Sequence, residues 1–440
     1  MANVKPWMRA PLLVAGVTTL IVASLAPARG AGEVEAFVGA RLFDGTGRPA
    51  VPDAVLLVKD DRVMAVGSAK DVRVPPGAER VDLAGRFVIP GLVNAHGHVG
   101  ETRGLRSGPE LYDLENVLAQ LRVYARYGIT TVTSLGGDRD EGFRLRDEQD
   151  TPDLDRARLY VAGPVIDAKT PEAARAQVQA LAARKPDWVK IRVDDNLGTT
   201  TKMPPEVYRA VIDETHKHGL RLAAHIFYLE DARDLVASGA DFIAHSVRDR
   251  PVDPAFIAAL KKRNVCVCPT LMREVSAFVY GSEPAFFSDP FFLKSADAAV
   301  VAALRDPARQ RSVAASPASA RYRDALEVAS RNLKILLDAG VPIAMGTDTG
   351  PPARFQGYFE HLELERMVAA GLTPAEALVT ATSGAARCLG LAGKVGTLEP
   401  GAWADLVVLR EDPLADIRNT RTLESAWIAG HRVTEALTRR

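Results

Sequence analysis

The sequence has few cysteines and no excess of charge of either sign. Its 440 residues contain 3 Cys, while Lys plus Arg and Asp plus Glu number 55 each. Three cysteines cannot form a complete disulfide framework. A formal net charge of zero provides no positive field to hold a polyanion, which argues against nucleic acid as a partner. With 47% hydrophobic residues the chain can bury a large core, as a globular protein does.

Two of the cysteines alternate within one apolar run. Cys266 and Cys268 lie in VCVCPT, so on a strand they share a face. We expect both to be small core residues rather than a metal-binding pair.

Long apolar runs are also scarce. Near the N-terminus Lys5 and Arg9 precede an apolar stretch from Leu12 to Leu25, and the small residues Ala26-Pro27-Ala28 follow at cleavage spacing. The stretch is shorter than the roughly 20 residues of a membrane span. We therefore interpret residues 1–30 as a signal peptide and expect export, to a bacterial periplasm, with no stable membrane span after cleavage. An uncleaved N-terminal anchor is the alternative.

The rest of the chain divides into three parts by its pattern of apolar and turn residues. Short β-branched runs broken by turn residues fill residues 34–86, and a similar texture returns at 392–440. Between them, residues 87–391 alternate strand-like runs with helical stretches, which favours βα units and a parallel sheet. The predicted fold class is α/β, a (β/α)8 TIM barrel with a small β-sandwich domain built from both ends of the mature chain.

The barrel prediction depends on eight runs. They are FVIPGLVNAH, GITTVTSLG, RLYVAGPVI, DWVKIRV, RLAAHIF, DFIAHSV, VCVCPTL and VPIAMGTD. In such a barrel, active residues lie at the C-terminal ends of the strands.

The segment of residues 272–323 is too long to be a short βα loop, and we predict that it forms a lid-like insertion. The segment is dense in aromatic residues: Phe278, Tyr280, Phe286, Phe287, Phe291 and Phe292. They could line an apolar pocket for an N-acyl or aromatic amino-acid substrate. Equally, they could form the core of the insertion or a subunit contact, and a homo-oligomer is one of the expected states.

The first run ends in a candidate metal motif. His96 and His98 are two apart, so on a strand they point the same way and can hold one cation. His216 and His218 have the same spacing at the end of a predicted helix, where it turns the side chains apart. We interpret that second pair as exposed and structural.

Four more side chains occupy equivalent places in later runs. These are Lys190, His225, His245 and Asp348. A barrel brings such strand ends together, and imidazole and carboxylate groups are metal ligands. Lys190 cannot donate a lone pair as an ammonium, but with a lowered pKa it could react with carbon dioxide to give a bridging carbamate. A lysine on the outer face is the alternative, because the register of one strand is uncertain.

The ordered set resembles the amidohydrolase superfamily, specifically its imidazolonepropionase-like and prolidase-like members. The returning LEPGAWADLVVL belongs to the same pattern. The resemblance implies two divalent metal ions, most often zinc, with N6-carboxylated Lys190 as the bridge. Its implied ligands are His96, His98 and Asp348 on one ion, and His225 and His245 on the other.

The implied reaction is hydrolysis of a C–N amide bond in a small-molecule substrate. A metal-activated bridging water would attack, with Asp348 as general base and then general acid. Dipeptides or N-acyl amino acids are the expected substrates. Arg192 and Arg248 could grip a substrate carboxylate, although a salt bridge at the barrel rim explains each as well. Tyr228 lies where prolidase-like relatives carry a substrate-pocket tyrosine.

Other functions remain open. Within enzymes, the alternatives are a cyclic amide hydrolase of the imidazolonepropionase type and a lactone or ester hydrolase. From another class, the chain could be a catalytically inactive amidohydrolase scaffold used for binding.

Overall fold

The structure is a computed structural model that describes Met1 and residues 33–433. The predicted signal peptide, together with the alternative of an N-terminal anchor, lies outside the described residues. Within residues 33–433, no helix combines the length and the apolar character that crossing a membrane requires.

Strands and helices alternate through the middle of the chain. The strands are β1 Val34–Leu42, β2 Val51–Lys59, β3 Arg62–Ser68, β4 Glu79–Asp82, β5 Phe87–Pro90, β6 Leu92–Gly97, β7 Thr102–Arg103, β8 Arg106–Ser107, β9 Ile129–Ser134, β10 Arg158–Val161, β11 Val189–Arg192, β12 Leu222–His225, β13 Phe242–Ala244, β14 Cys266–Cys268, β15 Leu406–Leu409, β16 Leu423–Ile428 and β17 His431–Arg432. The helices are α1 Leu114–Arg126, α2 Asp140–Asp147, α3 Pro171–Ala182, α4 Pro205–Lys217, α5 Leu229–Ser238, α6 Pro254–Arg263, α7 Leu271–Ser276, α8 Pro290–Leu293, α9 Ala298–Leu304, α10 Pro307–Ala315, α11 Pro317–Asp338, α12 Tyr358–Ala369, α13 Pro374–Thr380 and α14 Ser383–Leu389. Short 3₁₀ helices cover Pro109–Leu111, Val279–Gly281, Ala285–Ser288 and Ile417–Arg421.

Strands from both ends of the described chain share one sheet. Its order is β17-β16-β15-β5-β1-β2-β3, with β4 paired to β1. The two ends meet where β5 pairs antiparallel with β15 and parallel with β1. Because the structure records one eight-stranded sheet, the sandwich arrangement stays a prediction.

The first predicted barrel strand is divided in two. Residues Phe87–Pro90 form β5 in the end sheet, whereas Leu92–Gly97 form β6, which pairs with β9. The break is at Gly91, where a Cβ would lie 2.1 Å from the Thr130 hydroxyl. A residue without a side chain is needed there because the backbone passes this close to β9. The run was predicted to be the first barrel strand, with a bend at Pro90-Gly91 where the chain leaves the sandwich, and the structure divides it at that bend.

The parallel strands form two ladders, β10-β9-β6 and β11-β12-β13-β14. Isolated bridges lie at their margins, Ile166 to Ile191, Val267 to Ile343 and Gly97 to Thr349. The eighth predicted run forms no continuous strand. Its backbone bonds alternate between partners: Ala344 N donates to Val267 O, while Met345 N donates to Thr380 O in α13. The described residues therefore show no closed ladder around a barrel.

Helix ends follow local sequence signals. Thr170 caps α3 by accepting a hydrogen bond from Ala173 N, and Pro171 takes the first helical position. Thr373 and Glu376 form a capping box at the start of α13. These signals fix where each helix starts and so how it returns the chain to the next strand.

The aromatic residues of the insertion pack on one another and on α12. Phe287 and Phe292 are both 1% exposed, with ring centroids 5.8 Å apart. Phe292 also lies 5.1 Å from the ring of Tyr358, and Phe291 lies 4.9 Å from that of Tyr127. The cluster is thus a core that attaches the insertion to the rest of the fold.

One cysteine prediction needs correction. Cys266 forms a disulfide with Cys388, which joins β14 to α14 across 122 residues of sequence. Cys268 is a buried free thiol, as expected of a core residue. The sequence could not reveal the pair because Cys266 and Cys388 are brought together only by the packing of α14 against the strands.

Candidate metal centre and active site

Three ligand-type side chains meet where β6 ends. His96, His98 and Asp348 each place a ligand atom within 4.8 Å of the others. Asp348 Oδ1 lies 2.9 Å from His98 Nε2 and 3.5 Å from His96 Nε2. Asp348 has a φ of 57°, a left-handed conformation that turns its side chain towards the histidines.

Two further histidines complete the cluster. His225 ends β12 and His245 follows β13, and their ring centroids are 4.3 Å apart. The His245 ring lies 4.7 Å from that of His96. The structure therefore brings together the four histidines and the aspartate that the sequence predicted as ligands.

The hydrogen bonds of the rings show which nitrogens have free lone pairs. His225 Nε2 lies 2.8 Å from Asp194 Oδ2, and His98 Nδ1 lies 3.1 Å from the Gly136 carbonyl oxygen. Carboxylate and carbonyl oxygens only accept, so these nitrogens carry the protons. The lone pair of His225 Nδ1 is thus free to bind a cation, while His98 Nε2 faces Asp348 Oδ1.

Lys190 faces the same cluster. It lies in β11 and is 4% exposed, and its Nζ has no hydrogen-bond partner among the described residues. Burial lowers its pKa to about 8, although the charge of Asp348 acts in the opposite direction. Its charge lowers the pKa of His96, and the charge of Asp348 raises that of Lys190, so the three groups lie near one another.

These residues fit a metal ion. His98 Nε2 and Asp348 Oδ1 lie 2.9 Å apart, close enough for both to bind one cation. Neither nitrogen of the buried His96 ring has a hydrogen-bond partner within the described part of the chain. Burial, the largest cause, holds the pKa of His96 and of His245 well below the ordinary value, which keeps both rings neutral. Neutral imidazoles and a carboxylate are the ligands that zinc prefers.

The sequence did not single out Arg354. Its Nη1 donates to Asp348 Oδ2 at 2.5 Å, and its Nε donates to Ser276 Oγ at 3.1 Å. Burial alone would raise the pKa of Asp348, but the Arg354 charge and the His98 contact hold it well below its ordinary value. Arg354 lies in a loop six residues after Asp348, where no periodic pattern marks it.

Two partners of the histidines were also missed. Asp194 follows β11 by two residues and bonds to His225, while Thr270 Oγ1 lies 2.6 Å from His245 Nδ1. Groups of this kind fix ring orientation and tautomer at metal sites. A carboxylate directly beyond a buried strand was the available signal for Asp194, whereas Thr270 had none.

The three predicted substrate contacts lie in different settings. Arg248 is fully buried, and its Nη1 donates to the carbonyl oxygens of Ile226 and Ser246. Arg192 is half exposed, 3.7 Å from Asp194. The Tyr228 hydroxyl donates to Asp195 Oδ1 at 2.9 Å, and Lys202 Nζ lies 3.9 Å from the centre of its ring. Arg248 therefore supports the backbone beyond His225 and His245, whereas Tyr228 and Arg192 lie at the rim.

The second histidine pair lies elsewhere. His216 is in the last turn of α4 and pairs with Asp241 at 2.9 Å, and His218 caps the helix 3.6 Å from Glu214. Neither residue belongs to the histidine cluster.

A cleft of ≈ 670 Å³ adjoins the cluster and is lined by His98, Glu101, Tyr112 and Asp138 among others. Burial raises the pKa of Asp138 to about 7 and also raises that of Glu101. The cleft provides space for a small molecule beside one of the candidate ligands.

Comparison with known proteins identifies the family. Residues 87–433 match the model of the amidohydrolase family. An imidazolonepropionase of Geobacillus kaustophilus is 26% identical over 366 residues, 75% of this chain and 76% of that protein. An uncharacterized protein of Mycobacterium tuberculosis is 28% identical over 352 residues, 77% of this chain and 82% of that protein.

A solved structure shows the same similarity. It is that of a candidate prolidase from Bifidobacterium longum, 25% identical, with a TM-score of 0.74 over 93% of this chain and 97% of that one. Amidohydrolases of this fold combine a TIM barrel with a small domain and are generally metal-dependent. The chain belongs to the amidohydrolase family, as an imidazolonepropionase-like and prolidase-like hydrolase that acts on carbon–nitrogen bonds.

Proposed function

We propose that the protein is an exported, metal-dependent amidohydrolase that hydrolyses the amide bond of dipeptides or N-acyl amino acids. One observation carries the proposal: four histidines, Asp348 and a buried Lys190 converge from strands far apart in sequence. A binding scaffold without catalysis would not need ionisable groups buried together at this cost.

The centre would hold two divalent ions, most suitably zinc. His96, His98 and Asp348 would hold one ion, and His225 Nδ1 and His245 Nε2 the other. Lys190, as N6-carboxylysine, would bridge them. Its buried Nζ without a hydrogen bond supports this role, since a lowered pKa makes the neutral amine available to carbon dioxide.

When bound, such ions polarise the scissile carbonyl and lower the pKa of a water molecule towards neutrality. Asp348 would take up a proton from the attacking water and deliver it to the leaving nitrogen. The Arg354 contact on Oδ2 keeps the carboxylate ionised and oriented, which leaves Oδ1 on the histidine side.

The barrel frame is part of the proposal. The isolated bridges from Gly97 to Thr349 and from Ile166 to Ile191 support a ring in which the two parallel ladders and the eighth run surround the centre. The candidate prolidase, which this chain matches over 93% of its length, supports the same arrangement.

Dipeptides and N-acyl amino acids are the first substrates to test. The similarity to a candidate prolidase supports them, and Tyr228, Arg192 and Lys202 at the rim offer groups for a substrate carboxylate. A library of both compound classes would be incubated with the zinc-loaded protein, and hydrolysis would be measured as release of free amine from the substrates. We expect hydrolysis of some members, and we expect a chelator to abolish it. Absence of release from every member would contradict the proposed substrate class.

A cyclic amide is the second candidate, because several similar proteins are imidazolonepropionases. Opening of the ring releases no free amine, so this reaction would be measured as the loss of the ring's absorbance. Turnover of imidazolone propionate faster than of any dipeptide would favour this candidate.

Export is supported by the charge and length pattern of residues 1–30 and by the Cys266–Cys388 disulfide, because disulfides persist in oxidising compartments. Fractionation of a bacterial host should recover the protein from the periplasm, shortened at its N-terminus. A full-length protein in the cytoplasm would contradict export but leave the chemistry untouched.

A further inference from the structure

Helix α12 carries two carboxylates that are entirely buried next to the candidate metal centre. Glu360 and Glu363 are each 0% exposed, and their spacing of three residues places them on one face of the helix. Neither belongs to the candidate ligand set. Because a buried carboxylate is costly without hydrogen bonds, their partners indicate their role.

Glu360 Oε1 accepts three hydrogen bonds. The donors are Asn94 Nδ2 at 2.7 Å, Thr347 Oγ1 at 2.7 Å and Thr349 Oγ1 at 2.6 Å. The two threonines flank Asp348, the residue with a left-handed φ of 57°. Such a conformation persists only when its surroundings hold it.

The same carboxylate also reaches the first histidine. Asn94, which donates to Glu360, accepts a hydrogen bond on Oδ1 from His96 N at 2.9 Å. Glu360 therefore connects the backbone at His96 with the turn that carries Asp348.

Glu363 uses both oxygens on a different turn. Its Oε1 accepts from Leu271 N and its Oε2 from Met272 N, each at 2.7 Å. The preceding residue, Thr270, has a left-handed φ of 49°, and its hydroxyl contacts His245 Nδ1. Glu363 thus holds the turn that orients His245.

We propose that α12 is the positioning element of the metal centre, with Glu360 holding the ligands of one ion and Glu363 a ligand of the other. The two glutamates are positioning residues, because they act through Thr347, Thr349 and Thr270. The inference rests on the proposed two-ion centre, and it explains why one helix presents two buried carboxylates on the face that packs towards the strands.

The two glutamates predict opposite responses to the same conservative change. Glu360→Gln keeps the one oxygen that accepts, so zinc affinity should remain near the wild-type value, whereas Glu360→Leu removes it. Glu363→Gln places an amide NH₂ against a backbone N–H and removes one of two acceptors. We expect Glu360→Leu and Glu363→Gln to weaken zinc binding about 10- to 100-fold, as losses of outer partners of metal ligands do.

Chelator competition on the full-length protein would measure zinc affinity for each variant, with circular dichroism of the metal-free protein as a check of folding. Glu365→Gln is the matched control, because Glu365 lies on the same helix but pairs with Arg421 at 2.9 Å. It should bind zinc as the wild type does. If Glu360→Leu fails to fold, the difference in zinc affinity between Glu360→Gln and Glu363→Gln still tests the positioning role.

His98→Ala distinguishes a failure of the proposed metal centre from a failure of the positioning role of α12. If His98→Ala binds zinc as tightly as the wild type, the proposed centre itself is wrong. If His98→Ala loses zinc while Glu363→Gln retains wild-type affinity, or if Glu360→Gln loses affinity as Glu360→Leu does, the positioning role of α12 is wrong.

Discussion

His361 is a buried histidine outside the candidate metal centre. Its Nδ1 contacts Thr420 Oγ1 at 3.0 Å, its Nε2 lies 2.9 Å from the Tyr127 carbonyl oxygen, and burial lowers its pKa to about 4. The unfolded chain, with a His pKa near 6.5, binds the proton at higher pH. Between pH 6.5 and 4 the unfolded state therefore holds more protons, so the free energy of unfolding falls as pH falls.

We expect this one residue to remove up to about 3 kcal/mol of stability across that window, and nothing further below pH 4. Urea unfolding of the metal-free protein at a series of pH values would measure the effect. His361→Gln should make the pH dependence between pH 6.5 and 4 less steep, while the contribution of the buried His96 and His245 remains. An equally steep dependence in the variant would show that other groups cause it.

Lys190 gives a second prediction at this scale. Lys190→Ala removes the proposed bridge, so bound zinc should drop and activity should fall by at least the roughly 100-fold that loss of an outer partner can cost. Lys169→Ala is the control, because Lys169 is exposed and pairs with the equally exposed Asp167. Full zinc content in Lys190→Ala, measured by elemental analysis, would defeat the bridging role.

Residue type and strand position were enough to predict the candidate ligands, because His, Lys and Asp after buried strands are conspicuous in an apolar setting. The groups that orient them were not predictable. Arg354 and Thr270 lie in loops whose course depends on the packed structure, and Glu360 occurs in a helix where buried and exposed acids look alike in sequence.

At the scale of elements, the aromatic cluster predicts how the insertion is attached. Phe292 is 1% exposed, whereas its neighbour Leu293 is 51% exposed. Phe292→Ala should cost about 3–5 kcal/mol of unfolding free energy, as removal of a buried aromatic does. Leu293→Ala should remain within about 0.5 kcal/mol of the wild type. Equal effects in urea unfolding would mean that α8 is not anchored by this core.

The disulfide between β14 and α14 gives another prediction for elements. Cys388→Ala removes a link across 122 residues and should cost about 2–5 kcal/mol of stability. Cys268→Ala leaves the disulfide intact and should reduce the unfolding free energy by less than Cys388→Ala does. A reductant should destabilise the Cys268→Ala variant as much as it destabilises the wild type. A wild-type protein indifferent to reductant would show that the link contributes nothing.

Elements with strong local signals were predictable, and those defined by distant partners were not. Proline at the first helical position, as at Pro171 and Pro374, is such a signal at the starts of α3 and α13. The Pro90-Gly91 pair was likewise a local signal, and the chain passes there from one sheet to the next. The irregular eighth run depends on a contact with Thr380, which no local pattern reveals.

For the whole molecule, the sequence predicts a small domain built from both ends of the chain, and the structure places β1 to β5 and β15 to β17 in one sheet. Strand β5 of this sheet is followed, after Gly91, by β6, the strand that carries His96. The fold therefore ties the ends of the chain to the strand that opens the candidate centre.

The central claim is that the converged side chains form a metal centre that hydrolyses amides. The most direct test is zinc titration of the chelator-treated protein while hydrolysis of the best library substrate is followed. We expect no activity without metal, a rise that saturates at two equivalents of zinc, and no recovery in His245→Ala. Full activity after complete removal of metal, or saturation unchanged in His245→Ala, would contradict it.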